Sequence, residues 1–175
     1  MGEGTGGAGD GADKWSINDL IREADARIDE LGLPRMRRPE GLGQEYTFPT
    51  DVAGLRGGEL ANLSLRLSAW YSYLLAEVGR EDSQLGVIEE AYNAALGVKM
   101  HDLARTYERN KPVKETLKAL VLEEDASLRA ITRVIMRRRM VVRRLEAQLE
   151  IYKEQINRLS REQSRREAEA RAGNY

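Results

Sequence analysis

A heptad pattern of apolar residues in the second half of the chain constrains the fold more than any other feature. From Leu128 onward, apolar residues recur at alternating steps of three and four. This spacing keeps one stripe of a helix apolar and predicts a coiled coil. A single chain of 175 residues does not easily cover so long a stripe, so we expect copies of the chain to associate through it. The stripe comprises Leu128, Ile131, Ile135, Val142, Leu145, Leu149, Tyr152, Ile156 and Leu159.

Arg138 interrupts this stripe at a position where the spacing calls for an apolar residue. A guanidinium that is buried without a partner is too costly to keep. Three arrangements avoid the cost. The helix can rotate locally so that Met136, Met140 or Val141 takes the position. Arg138 can pair with an acid of a neighbouring helix, or the helices can open into a wide ring whose inner surface is solvated.

Positive charge is concentrated in the same helix. Residues 129 to 144 hold seven arginines and no acid, although the whole chain has 28 Lys+Arg against 29 Asp+Glu. Guanidinium groups bind phosphates with two parallel hydrogen bonds, and segregated positive charge is typical of a polyanion binder. We therefore predict a nucleic-acid interface formed by Arg129, Arg133, Arg137, Arg138, Arg139, Arg143 and Arg144.

The same arginines have a second interpretation. A charge run is often a solvated helix face that pairs with acids of another helix. No acid lies within the run itself, so local support from pairs four residues apart is absent. Partners on another helix are available at Glu77, Glu81, Asp82, Glu89, Glu90 and Glu123.

Aromatic side chains can add base stacking to such an interface, because every base has a face that packs on a ring. Trp70 belongs to a second apolar stripe and is therefore expected in the core. Tyr71 points away from that stripe and is our candidate for stacking on a base. The second stripe comprises Leu60, Leu63, Leu67, Trp70 and Leu74.

Catalytic and membrane classes find no support in the sequence. There is no cysteine and only one histidine, His101, and no phosphate-binding glycine loop or nucleophile elbow occurs. The acids from Glu123 to Asp125 point in different directions on a helix, so we expect no metal site. We expect no enzyme and no cofactor. No apolar run approaches the roughly 20 residues that span a bilayer, and no signal peptide is apparent, so we expect a cytoplasmic protein without membrane contact.

The fold class that these patterns predict is all-α: an elongated, homo-oligomeric helical bundle with a long C-terminal coiled-coil helix. Ser16 is expected to cap the first helix, and Gly32 and Pro34 to end it. Gly79 is expected to separate two helices of a hairpin. The predicted segments are a disordered Gly-rich tail at 1–13, a helix and a Pro/Gly/Arg connector at 14–50, a helical hairpin at 51–109, and a basic coiled-coil helix at 110–175 that frays from residue 160.

The order of these features resembles a known family. A helix containing Leu67-Ser-Ala-Trp-Tyr-Ser-Tyr-Leu74 is followed by an Ala-rich helix, and Leu120-Val-Leu-Glu-Glu-Asp-Ala-Ser-Leu128 leads into a long terminal helix. Over roughly residues 60–165 this order resembles the UvsY-type recombination mediators of tailed phages. The resemblance implies a helical protein that self-assembles into rings and binds single-stranded DNA. It also implies a role in loading a RecA-like recombinase onto strands coated by single-strand-binding protein.

One family motif has a partial counterpart in the chain. A Lys-x-Arg motif in the family's middle helix contributes to DNA contact, and the nearest match is Lys99-Met100-His101. The resemblance therefore implies a DNA contact for Lys99, with His101 standing where the family has arginine. The Gly-rich tail and the long terminal coiled coil go beyond the family pattern.

The leading hypothesis is a non-catalytic single-stranded DNA-binding recombination mediator, encoded by a phage and active in the bacterial cytoplasm. The alternative is a structural or scaffold coiled-coil protein of a virion or its assembly, whose arginines face an acidic protein partner. A regulatory protein that docks on a host enzyme is a third option.

Overall fold

Most of the described residues of the chain lie in helices. The computed structural model describes residues 16–32, 35–40, 47–107 and 112–173. These residues form four helices and no strand, so the all-α prediction is confirmed. The tail predicted at 1–13 lies outside the described residues. The helices are α1 (Ile17–Glu30), α2 (Gly57–Arg105), α3 (Lys114–Glu124) and α4 (Ala126–Ala172).

The two long helices, α2 and α4, form an antiparallel hairpin. They contain 49 and 47 residues, which corresponds to about 70 Å each at about 1.5 Å per residue. Near one end, the Thr132 hydroxyl lies 3.3 Å from the Tyr92 hydroxyl. Near the other end, Arg166 donates to the carbonyl of Leu55, just before α2, at 2.8 Å. These contacts fix the register of the hairpin along most of its length.

The apolar stripe of α4 is buried inside the chain. At one end of the hairpin, its first residues pack in a cluster with Ile88, Tyr92 and neighbouring residues of α2. At the other end, Leu159 packs against Leu60 and Leu67. The argument that a second copy must cover the stripe is therefore wrong, because α2 covers it. Association of copies stays a prediction that needs another surface. Buried stripe residues are Leu128, Ile131, Ile135, Val142, Leu149 and Leu159, and half-buried ones are Leu145, Tyr152 and Ile156.

The helix α2 runs through Gly79 without a break, so the helical hairpin predicted at 51–109 is wrong. A glycine inside a helix costs only about 1 kcal/mol relative to alanine. The apolar stripe continues on both sides of it, with Leu74 and Leu85 both buried. The start of α2 also lies later than residues 50–51, because the Asp51 carboxylate accepts a hydrogen bond from the Gly54 amide at 3.0 Å and makes a turn there.

A break at Asp125 divides the helix predicted at 110–175. The Asp125 backbone is extended, at φ −99° and ψ 99°, and its carboxylate accepts from the amides of Ser127 at 2.9 Å and Leu128 at 3.0 Å. The amide of Leu128 holds the pKa of this carboxyl below its usual range. Asp125 is thus the N-cap of α4. The predicted fraying from residue 160 is also wrong, since α4 remains helical to Ala172.

The first helix and the connector pack on the hairpin. Ser16 caps α1 as predicted, by accepting from the amide of Asn18 at 3.2 Å, and Gly32 ends it with a φ of +64°. The connector passes Trp70, where the Arg38 guanidinium lies 5.4 Å from the ring centroid. Trp70 is a buried residue, so its predicted core position is confirmed.

Candidate nucleic-acid interface

All seven arginines of the basic stretch lie on the uninterrupted helix α4. Because one stripe of α4 faces α2, each arginine lies either beside that contact or on the outward side. The structure divides the seven into three groups: two that pair with acids, one that contacts backbone carbonyls, and four that are exposed and have no partner among the described residues.

Arg138 and Arg139 pair with carboxylates of α2. The Arg138 Nη1 atom lies 3.0 Å from Oε2 of Glu81, and its side chain is 22% exposed. The Arg139 Nε atom lies 2.7 Å from Oε1 of Glu89. For Arg138 the structure selects the second of the three arrangements, an acidic partner, and supplies it from the same chain. These two arginines follow the interpretation of a face that pairs with another helix.

Arg138 also belongs to a polar network that joins three helices. Its Nη1 atom donates to Oε1 of the buried Gln84 at 2.7 Å, and Gln84 Nε2 donates to Asp25 of α1 at 2.7 Å. Asp25 in turn accepts from Arg80, and this hydrogen bond holds the pKa of the Asp25 carboxyl below its usual range. The polar atoms of this network therefore rely on one another for their hydrogen bonds. Arg138 is a structural residue and not an open ligand site.

Arg129 holds the corner between α3 and α4. Its Nη1 atom donates to the carbonyl of Leu122 at 2.7 Å and also to the carbonyl of Glu123. The last carbonyls of a helix have no partner within the helix. Arg129 thus supplies hydrogen bonds to carbonyls at the end of α3, and its guanidinium is engaged in that contact.

Four exposed arginines remain: Arg133, Arg137, Arg143 and Arg144. Within the described ranges, none of the four forms an ion pair or a hydrogen bond through its side chain. Arg133 and Arg144 are separated by eleven residues, about 17 Å along the helix. We call this outward surface of α4 the arginine face.

Two methionines lie on the arginine face. Met136 and Met140 are 61% and 64% exposed, and they alternate with the arginines on the side opposite the buried stripe. Sequence reasoning considered them only as substitutes for Arg138 in the core. Their spacing from the apolar stripe puts both methionines on the outward side of the helix, among the arginines. That spacing is the sequence signal that predicts their exposure.

The structure does not bring Lys99 and Tyr71 to the arginine face. Lys99 lies at the α3–α4 corner, with its Nζ atom 3.6 Å from Oδ2 of Asp125, which precedes Arg133 by eight residues. Tyr71 is half-buried on α2. It precedes Glu81, the partner of Arg138, by ten residues, or about 15 Å along the axis. A DNA contact by Lys99 or Tyr71 stays a prediction, at positions outside the arginine face.

The remaining candidate chemistry is sparse. Within residues 16–32, 35–40, 47–107 and 112–173, no three acidic or histidine side chains come close enough to hold a metal ion. Asp125 of the acidic triplet acts as a helix cap instead. Among the helices of the described part, none combines the length and the apolar composition required to cross a lipid bilayer.

Comparisons with models of protein families, with curated proteins and with solved structures find no match to this chain. The resemblance to UvsY-type mediators therefore rests on the order of features in the sequence.

Proposed function

We propose that this chain is a non-catalytic protein that binds single-stranded DNA through the arginine face. The observation that supports the proposal is the set of four exposed arginines without an acidic partner among the described residues. A positive surface of this kind attracts the phosphate backbone and carries no information about base sequence. Binding is therefore expected to be independent of sequence.

The length of the arginine face suits a short stretch of a flexible strand. Arg133, Arg137 and Arg144 recur along about 17 Å of a continuous helix that packs on α2. Each guanidinium can bind one phosphate through two hydrogen bonds. Because the helix backbone is already ordered, these arginines lose less backbone entropy on binding than those of a loose basic tail do.

A pair of charge-matched variants tests the site. R133Q/R137Q/R144Q removes three charges from the arginine face, and R158Q/R161Q/R171Q removes three charges from the far part of the same helix. We expect the first variant to weaken binding of a fluorescent oligonucleotide about a hundredfold in low salt, and the second to weaken it less than threefold. Equal losses in both variants would show that binding follows total charge and not this face.

The choice of arginines in this test follows from the structure. An alanine triple at residues 137 to 139 also removes Arg138 and Arg139, which pair with Glu81 and Glu89. A loss of binding in that variant would mix a loss of stability with a loss of contact.

The role of recombination mediator is the finer part of the proposal and rests on the resemblance. In that role the protein helps a RecA-like recombinase to displace single-strand-binding protein in the cytoplasm of an infected bacterium. Stimulation of recombinase ATPase activity on strands coated by single-strand-binding protein tests it. A protein that binds DNA but leaves this activity unchanged is not a mediator.

Self-association is proposed together with binding, because several copies multiply weak contacts into useful avidity. The surface involved is not the stripe of α4, since α2 covers it. Sedimentation is expected to give a mass several times the 19.8 kDa of one chain. A mass near 19.8 kDa at micromolar concentration would exclude assembly under those conditions.

A scaffold protein that binds an acidic protein partner is the second candidate function. The pairs of Arg138 with Glu81 and of Arg139 with Glu89 favour it, because they show that α4 arginines donate to carboxylates of a neighbouring helix. In that case the four exposed arginines face acids of another protein. The oligonucleotide binding experiment separates the two, since the scaffold does not bind DNA.

A further inference from the structure

The exposed methionines of the arginine face are not explained by phosphate binding. Met136 and Met140 follow each other by one helical turn, at 61% and 64% exposure. Three arginines lie on the same outward side of α4. Arg133 precedes Met136, Arg137 lies between the two methionines, and Arg144 follows Met140. The fold gains little from these two side chains, because they remain largely in water. A surface that only needed phosphate contacts has no use for them.

Methionine suits contact with an aromatic surface. Its thioether is polarisable, its side chain has three rotatable bonds, and it packs well against ring edges and faces. In a single strand the bases present such surfaces to a protein, whereas in a duplex they are stacked and paired. Arginines that hold the phosphates therefore place the bases of a single strand next to any apolar group between them.

We propose that Met136 and Met140 form a base-contacting strip, so that the arginine face selects nucleic-acid strands with exposed bases over duplexes and over polyanions without bases. This inference rests on the proposed function and adds the class of ligand that the face prefers. The arginines give charge complementarity to the backbone, and the methionines give the part of the affinity that depends on bases. Every base has an apolar face, so this part is also tolerant of sequence.

The packing around the strip supports an external ligand. Met136 and Met140 are one helical turn apart and therefore neighbours on the helix surface. The stripe of α4 that faces α2 is already filled by Ile135 and Val142, which are buried. The strip therefore has no place in the core of the hairpin and is accessible to a ligand.

The test compares three ligands of equal length for the unaltered protein: an oligonucleotide of thymines, an abasic strand with the same backbone charge, and a duplex. Anisotropy titrations at one salt concentration give the affinities. We expect the thymine strand to bind about tenfold more tightly than the abasic strand. We expect M136Q/M140Q to lose most of that difference while its affinity for the abasic strand and its salt dependence stay unchanged.

A matched control comes from the other end of the hairpin. Leu65 is 73% exposed and lies on α2, away from the arginine face. The L65Q variant exchanges one exposed apolar side chain for the same polar one, and it is expected to retain the tenfold preference. Circular dichroism of all variants is expected to match that of the unaltered protein, because the substituted positions are exposed.

The outcomes separate this inference from the proposed function. If the unaltered protein binds thymine and abasic strands equally, the base-contacting strip is wrong while DNA binding stands. If it binds neither, the proposed function fails and the strip fails with it. If M136Q/M140Q weakens both strands equally, the methionines do not contact bases. Tighter binding to vesicles of anionic lipid than to any strand, lost in M136Q/M140Q, would assign the strip to a membrane surface and overturn the inference.

Discussion

Two parts of α4 carry arginines but use them differently: residues 129–144 hold seven arginines, and residues 146–169 hold four. Between residues 146 and 169, arginines and glutamates alternate, and they pair within the helix: Arg158 lies 3.2 Å from Glu154, and Arg165 lies 2.8 Å from Glu162. Between residues 129 and 144 there is no acid, so such pairs cannot form. The arginines there either reach across to other helices or remain exposed. The distribution of acids thus decides which part of α4 leaves arginines available for an anion.

The paired half also serves the fold. Arg166 donates to the carbonyls of Ala53 at 3.0 Å and Leu55 at 2.8 Å, and its Nε atom pairs with Glu162 at 2.6 Å. These contacts join the end of α4 to the turn before α2. They explain why a charged segment remains helical where fraying was expected.

The largest effect is expected at Arg138, within the basic half. R138A removes the partner of Glu81 and Gln84. The free energy of unfolding in urea is therefore expected to fall by about 2 to 3 kcal/mol. The neighbouring R137A changes an exposed side chain and is expected to cost less than about 0.5 kcal/mol. Equal stability of the two variants would contradict the division of the basic half into structural and free arginines.

A smaller effect is expected when Glu89 is neutralised. E89Q removes the ion pair between Glu89 and Arg139, so the Arg139 guanidinium becomes available to a phosphate. The affinity for single-stranded DNA is therefore expected to increase about threefold to fivefold. The adjacent E90Q changes the net charge equally, but Glu90 pairs with no arginine of α4 in the described structure. If both variants tighten binding to the same extent, only net charge matters.

The smallest effect concerns the paired half and depends on pH. Hydrogen bonds from Arg165 and Arg166 lower the pKa of the Glu162 carboxyl from 4.5 to about 2. A carboxyl whose pKa is lowered by folding contributes stability above its unfolded pKa and loses it as pH falls through the folded value.

Thermal melts of E162Q and the unaltered protein measure this contribution. E162Q is expected to melt at a lower temperature at pH 7, and the difference is expected to shrink between pH 4.5 and pH 2. E167Q, at an exposed glutamate of the same region, serves as the control. A difference for E162Q that stays constant down to pH 2 would show that the ion pairs do not stabilise this end of the hairpin.

Local features of the fold could be predicted from the sequence. Ser16 has the residue type and position of an N-cap, and the stripes of α2 and α4 have helical spacing. Asp125 also had the residue type of a cap, but the apolar spacing around it continues, so the break was missed. Gly79 was misjudged because the packing that carries a helix through a glycine comes from another helix.

The partners of the site could not be predicted from spacing alone. Heptad spacing shows that one face of α4 is buried, but it does not show whether α2 or a second copy covers it. The pair of Arg138 and Glu81 joins residues 57 positions apart. Glu81 and Glu89 were among six candidate acids, and only the register of the hairpin selects them. The exposure of Met136 and Met140 follows from that same register.

The salt dependence of single-stranded DNA binding tests the central claim most directly. Four free arginines neutralise about four phosphates of a single strand and release about 0.7 counterion for each, so log K is expected to fall with log salt concentration at a slope of about −3. A slope near zero would contradict the arginine face as the binding site, and a slope near −5 would show that the arginines assigned to the fold also contact phosphates.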